Sequence, residues 1–125
     1  MARILVAEDE ESLRGLVQRA LAQDGHEVVA TADGAEALER LNGAKDPFDL
    51  ILADIKMPVM DGIALALAAA RDHPGLTILL MTGYADQRER AHGLEALIHD
   101  VITKPFSIAE IQAAVKGALT AKPKS

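Results

Sequence analysis

Leu50-Ile51-Leu52-Ala53-Asp54-Ile55-Lys56-Met57-Pro58-Val59-Met60-Asp61-Gly62 is the stretch on which the reading of this chain turns. A short apolar run bounded by turn signals reads as a buried strand. Asp54 would close that strand. Pro58 and Asp61-Gly62 mark a loop, and an apolar helical pattern starts behind it. Open parallel sheets bind their ligands outside the carboxyl ends of the strands. Asp54 is therefore the candidate reactive group, and the rest of the chain is read for what supports it.

Working outward, Arg3-Ile-Leu-Val-Ala7 is a first apolar run that ends in Glu8-Asp9-Glu10-Glu11. Leu13, Leu16, Val17, Ala20 and Leu21 then keep the spacing of one helical face, and Gly25 is a natural C-terminal stop. Residues 26–31 read as a second strand. Asp33 and Glu36 make a capping pattern that opens a helix through Leu41. The third strand is expected at 49–54, followed by a helix from Gly62 to Asp72 with Ile63, Ala66, Leu67 and Ala70 on one side. Pro74-Gly75 breaks it. A strand over Leu76–Thr82, a polar helix over Asp86–Leu97 and a strand over Asp100–Lys104 come next. Ser107 and Glu110 form a second capping box, opening a last helix with a stripe of Ile108, Ile111, Val115 and Leu119. Ala121–Ser125 reads as a frayed end. Five βα repeats imply an α/β domain with a parallel sheet covered on both faces, joined by right-handed crossovers.

The 125 residues suffice for one domain. A formal net charge of −6 gives no footprint for nucleic acid and no polybasic membrane patch. There is no Cys, so neither a disulfide framework nor thiol chemistry is expected. No apolar run approaches the roughly 20 residues of a membrane span. The N-terminus lacks the layout of a signal peptide, and a cytoplasmic protein is expected. His26, His73, His92 and His99 are scattered, with none at metal-ligand spacing.

In a parallel sheet the strand ends share one edge. There the chain would bring together Glu8 and Asp9 from strand one, Asp54 from strand three, Thr82 from strand four and Lys104 from strand five. Solubility alone would not place a hydroxyl and an ammonium opposite three carboxylates. Carboxylates sharing a crevice raise one another's pKa. A hard divalent cation relieves this, and such oxygen ligands suit Mg²⁺. Asp54 would keep one oxygen free as a nucleophile, and aspartate is a covalent phosphoryl acceptor. Phosphoryl transfer needs mainly positioning and charge neutralisation, which Mg²⁺, Lys104 and the Thr82 hydroxyl would supply.

These pieces resemble a receiver domain of a two-component response regulator. They are Ile4-Leu-Val-Ala-Glu8-Asp9, Leu50-Ile-Leu-Ala-Asp54-Ile-Lys-Met-Pro58, Asp61-Gly62, Met81-Thr82-Gly83 and Lys104-Pro105-Phe106. Each is short, but together and in order they are specific. The resemblance implies a doubly wound, flavodoxin-like sheet of order 2-1-3-4-5, which the chemotaxis member of the family exemplifies. It implies a receiver over residues 1–120 and a tail at 121–125. It further implies that Asp54 takes phosphoryl from a phosphohistidine on a sensor histidine kinase or phosphotransfer protein. Glu8, Asp9, Asp54 and the backbone carbonyl of Lys56 would hold Mg²⁺. Thr82 and Lys104 would bind the attached phosphoryl group, and the Lys104-Pro105 bond would be cis. Phosphorylation would repack the surface of the fourth helix, fifth strand and fifth helix.

The chain departs from the family at several positions. Glu8 stands where many receivers have Asp, with little expected consequence. Val101 stands where an aromatic usually follows the Thr, so no ring is expected there to carry the usual Thr-to-aromatic coupling. Tyr84 would either take over as the moving aromatic or simply pack on the surface. With Lys56 it also flanks the position of the attacking water, where bulk would slow self-dephosphorylation. Leu97 and Ile98 lengthen an apolar stretch, as core or as a docking patch. Since the sequence ends just after the last helix, no DNA-binding output domain is expected, and output would come from protein binding or phosphorelay. The stretch from Gln87 to Phe106 is similar to the single-domain regulators called CpdR. That similarity implies delivery of substrates to the ClpXP protease, through ClpX or protease adaptors, by the unphosphorylated form. The competing readings are a Mg²⁺-dependent aspartyl-phosphate phosphatase or transferase and a nucleotide binder. The phosphatases usually carry a second Asp where this chain has Lys56, and neither a GxGxxG nor a P-loop is present for the nucleotide binder.

Overall fold

A computed structural model describes residues 2–83 and 90–121. The five apolar runs are strands β1 (Arg3–Ala7), β2 (Glu27–Thr31), β3 (Leu50–Asp54), β4 (Thr77–Thr82) and β5 (Asp100–Thr103). All pair in parallel, in the order β2-β1-β3-β4-β5. Side chains alternate across a strand, and this sheet buries both alternating sets. Ile4, Val6, Leu50, Leu52, Leu79 and Met81 face one way. There they meet α1 (Glu11–Gln23) and α4 (Ile108–Thr120), the helix expected fifth. Leu5, Ala7, Ile51, Ala53, Ile78 and Leu80 face the other way, toward α2 (Gly34–Gly43) and α3 (Gly62–Asp72). Burial on both faces explains why the strands read as continuous apolar runs.

The helix ends follow the sequence signals. Asp33 accepts from the Glu36 amide at 2.8 Å, and Asp61 accepts from the Ala64 amide at 2.9 Å. Ser107 and Glu110 form a reciprocal capping box at the start of α4. Such caps satisfy amides that have no partner within the helix. Gly25 follows α1 with φ of 85°, a conformation that side chains with a Cβ disfavour.

Three expectations need correction. On α3 the buried residues are Gly62, Leu65, Ala66 and Ala69, while Leu67 is exposed. The helix is apolar nearly all round, so periodicity had little contrast from which to choose a face. Ile108 is exposed at the start of α4, where Ile111, Val115 and Ala118 are buried. Of the polar helix expected over 86–97, residues 86–89 lie outside the described residues. Beyond them the chain is helical at 90–91, then tightens to a 3₁₀ turn at His92–Leu94. No helix among the described residues is long and apolar enough to cross a membrane.

Candidate functional site

Asp54 is the last residue of β3, which lies between β1 and β4. Its side chain stands at the carboxyl edge of the sheet, with the residue only 6% exposed. The backbone continues in register, as the Ile55 amide donates to the Met81 carbonyl at 2.9 Å. Two glycines permit the chain to fold back tightly here. A Cβ on Gly62 would lie 2.3 Å from the Asp54 carbonyl oxygen, and one on Gly34 would lie 2.2 Å from that of Met60. Only glycine fits either position.

Glu8 follows β1 directly and is fully buried. Asp9 is exposed. Glu8, Asp9 and Asp54 each offer a carboxylate oxygen, and these oxygens all lie within 4.8 Å of one another. Lys104, expected inside the fifth strand, sits just beyond it. Its Nζ donates to Glu8 Oε1 at 2.8 Å and to Asp54 Oδ2 at 2.9 Å. The Lys104 amide is anchored on the Thr82 carbonyl at 2.8 Å, and the Lys104-Pro105 bond is cis. Thr82 ends β4 and is buried. An open cleft of about 980 Å³ is lined by Glu8, Asp9, Asp54, Lys56, Gly83 and Lys104 among others.

The electrostatics follow from burial. Desolvation pushes the Glu8 carboxyl from 4.5 up to about 7, helped by the nearby Asp54 charge. Hydrogen bonds from Lys104 and the Glu10 amide pull the other way. For Lys104, burial acts to lower the pKa, but hydrogen bonds to Glu8 and Asp54 outweigh it and hold the ammonium above its ordinary value. The ammonium is thus an internal counter-charge for two of the three acids.

The donor set fits Mg²⁺. It consists of hard carboxylate oxygens close enough to share one small cation, with cleft space beside them for the waters that Mg²⁺ retains. Glu8 is already engaged on both oxygens, Oε1 by Lys104 and Oε2 by the Glu10 amide at 3.0 Å. The Lys56 side chain is exposed at the cleft.

The structure therefore brings together Glu8, Asp9, Asp54 and Lys104, with Thr82 bonded to Lys104 through the backbone. The expected switch residues divide. Val101 is half-buried on β5, paired with Leu80, and packs against the core on the α2/α3 side. Ile98 is 3% exposed and belongs to that core, whereas Leu97 is 43% exposed. Tyr84 lies outside the described residues. Two contacts escaped the sequence reading. The Arg14 guanidinium donates to the Glu8 carbonyl at 3.0 Å, and Arg90 Nη2 meets Asp61 Oδ2 at 2.8 Å. Neither has a periodicity or motif that announces it.

The family model for the response regulator receiver domain matches residues 4–116. The response regulator receiver protein CpdR of Brucella abortus is 39% identical, over 89% of this chain and 91% of that protein. The alkaline phosphatase synthesis transcriptional regulatory protein PhoP of Bacillus subtilis is 37% identical over 94% of this chain. The chain spans only 48% of that relative's length. Among solved structures, response regulator protein TrrA from Thermotoga maritima, in complex with Mg(2+)-BeF, superposes with a TM-score of 0.84. Its identity is 29%, with 94% of this chain and 99% of that chain covered.

Proposed function

Since this chain belongs to the response regulator receiver family, we propose that it is a two-component signalling switch whose phosphoryl acceptor is Asp54. The observation that carries this reading is the placement of Asp54. It is a nearly buried carboxylate at the carboxyl end of the central strand, 2.9 Å from the Lys104 ammonium and grouped with Glu8 and Asp9.

An Asp54 oxygen attacks the phosphorus of a phosphohistidine on a kinase or phosphotransfer protein. The P–N bond breaks, and its electron pair leaves with the imidazole. Glu8, Asp9, Asp54 and the Lys56 carbonyl would hold Mg²⁺, which when bound neutralises phosphoryl oxygens and the acid cluster. Lys104 releases its contacts with the acids and takes a phosphoryl oxygen as a compact point charge. The Thr82 hydroxyl donates to another. Attachment adds charge and strong acceptors at the sheet edge. It shifts the surface around residues 90–98, β5 and α4 only through differential affinity for two conformations. The chemistry is confined to the domain's own phosphorylation and dephosphorylation, and Lys56, exposed at the cleft, slows the latter by shielding the acyl phosphate.

The test is incubation with Mg²⁺ and a small phosphodonor, read by intact mass. An acid-stable, base-labile adduct is expected on the native chain and not on Asp54→Asn. An equal adduct on both would refute the assignment.

For output, the match to CpdR across most of both chains supports a protein-binding regulator, and the proposal places its action in the cytoplasm. In this reading the unphosphorylated form engages the ClpX unfoldase or protease adaptors, and nucleic acid and membrane are not partners. A relay role without direct output is the alternative. Pull-downs with each phosphorylation state separate the two, since a relay would show no state-dependent binding of unfoldase or adaptors.

A further inference from the structure

Consecutive side chains on a strand point to opposite faces, yet Glu8 and Asp9 bring carboxylate oxygens to the same point as Asp54. The chain must therefore leave the extended conformation at once after β1 and be held there. Besides the Lys104 contact on Oε1, three hydrogen bonds hold Glu8. Its amide donates to the Thr31 carbonyl at 3.0 Å, its Oε2 accepts from the Glu10 amide at 3.0 Å, and its carbonyl accepts from Arg14 Nη1 at 3.0 Å. The first two are backbone amides that any sequence would supply. The third comes from a side chain one turn into α1, half-buried and reaching back over the turn.

We propose that Arg14 is a positioning residue for the metal site: its guanidinium pins the Glu8 carbonyl and so sets the peptide plane from which Asp9 projects. The proposal rests on Glu8, Asp9 and Asp54 being the Mg²⁺ ligands. Partners that orient metal ligands are worth about 10- to 100-fold in affinity.

The sign of the effect separates this role from the blander one. A cation beside a cluster of carboxylates repels Mg²⁺. If Arg14 acted only through its charge, removing it would tighten metal binding. If Arg14 positions the turn, removing it weakens binding in spite of the lost repulsion.

Mg²⁺ affinity, measured by calorimetry on the full chain, decides between them. Arg14→Met keeps most of the aliphatic stem and removes donor and charge. The expected result is a rise in Kd of about tenfold. Arg14→Lys keeps one donor within reach of the carbonyl, and should restore most of the affinity. Unchanged or tighter binding by folded Arg14→Met would overturn the inference. So would a loss in Arg14→Lys as large as in Arg14→Met. Circular dichroism checks folding, and Arg14→Gln carries the same comparison if Arg14→Met does not fold. Absence of Mg²⁺ binding by the native chain would refute the metal site itself, a different failure from equal binding by native and variant chains.

Discussion

Burying Glu8 beside Asp54 makes the stability of the metal-free protein fall as pH rises. The carboxyl sits at about 7 in the folded chain against an ordinary 4.5. Below pH 4.5 the group is protonated in both states, and its contribution is fully present. Between the two values the folded chain keeps a proton that the unfolded chain has lost. Stability then declines by about 1.4 kcal/mol per pH unit. By the time pH passes about 7 the loss reaches about 3 kcal/mol, a large share of the 5–15 kcal/mol typical of a domain. Mg²⁺ should reverse the trend. A metal bound by an ionised Glu8 favours the deprotonated folded state, and stability should then hold or rise over the same range.

Urea denaturation followed by circular dichroism, at pH about 5, 6, 7 and 8 in EDTA and again in Mg²⁺, measures both slopes. Glu8→Gln provides the control, since it keeps the volume and removes the titration. The native chain in EDTA should lose up to about 3 kcal/mol relative to Glu8→Gln between the ends of that range. Lys104 stays paired with Asp54 in the variant, so the difference isolates Glu8. If Glu8→Gln shows the same decline in EDTA as the native chain, the slope has another source and the burial argument fails. If Mg²⁺ leaves the native slope unchanged, Glu8 is not a ligand.

Three further outcomes follow from the surroundings of the site. Burial alone would raise the Asp61 pKa, but hydrogen bonds from the Ala64 amide and Arg90, and the Arg90 charge, hold it below its ordinary 3.8. Its contribution is therefore present above about that pH and lost as pH falls through the lower folded value. Asp61→Asn, which keeps a cap acceptor, should cost under about 1 kcal/mol at neutral pH, and Asp61→Ala about 1 kcal/mol more, by chemical denaturation. Gly62→Ala would drive a methyl into the Asp54 carbonyl. It should cost about 1–3 kcal/mol and slow Asp54 phosphorylation at saturating Mg²⁺, read by intact mass; normal kinetics would mean that the loop yields without moving Asp54. Val59 holds φ at 70° while 85% exposed, so a β-branched residue occupies the left-handed region with little packing in return. Val59→Asn should raise the unfolding midpoint, by about 1 kcal/mol in stability.

Legibility in the sequence tracked how much physical contrast each segment carried. Strands buried on both faces announce themselves as apolar runs, and Asp33 and Ser107 placed two helix starts, while Asp61, read only as part of a loop, caps a third. On α3 the contrast vanished: Gly-Ile-Ala-Leu-Ala-Leu-Ala-Ala-Ala has no polar residue to mark the outer face. The choice of Leu65 over Leu67 for the core was made by tertiary packing. Ile108 failed for a related reason. It is the first residue of α4, where a helix has just left the surface and a stripe drawn by spacing runs past the core.

The grouping of the candidate residues was legible because a parallel sheet converts strand order into proximity. Residues as far apart as Glu8 and Lys104 meet because each closes or follows a strand of one sheet. What that logic does not supply is the state of the meeting. Reading strand ends assigns Lys104 to the phosphoryl group, whereas the folded chain pairs it with Glu8 and Asp54 together. The longer arm of Glu8 thus has a consequence that reach to a metal does not capture: it is fully buried and bonded to the lysine proposed to bind the phosphoryl group. If Asp54 is the acceptor, as proposed, transfer would have to release Lys104 from two carboxylates, one of them desolvated, and a metal held by Glu8 and Asp54 would favour that release. On the proposed mechanism the chemistry and the conformational change would begin with the same ion pair, so substitutions at Glu8 should change metal affinity and phosphoryl lifetime together.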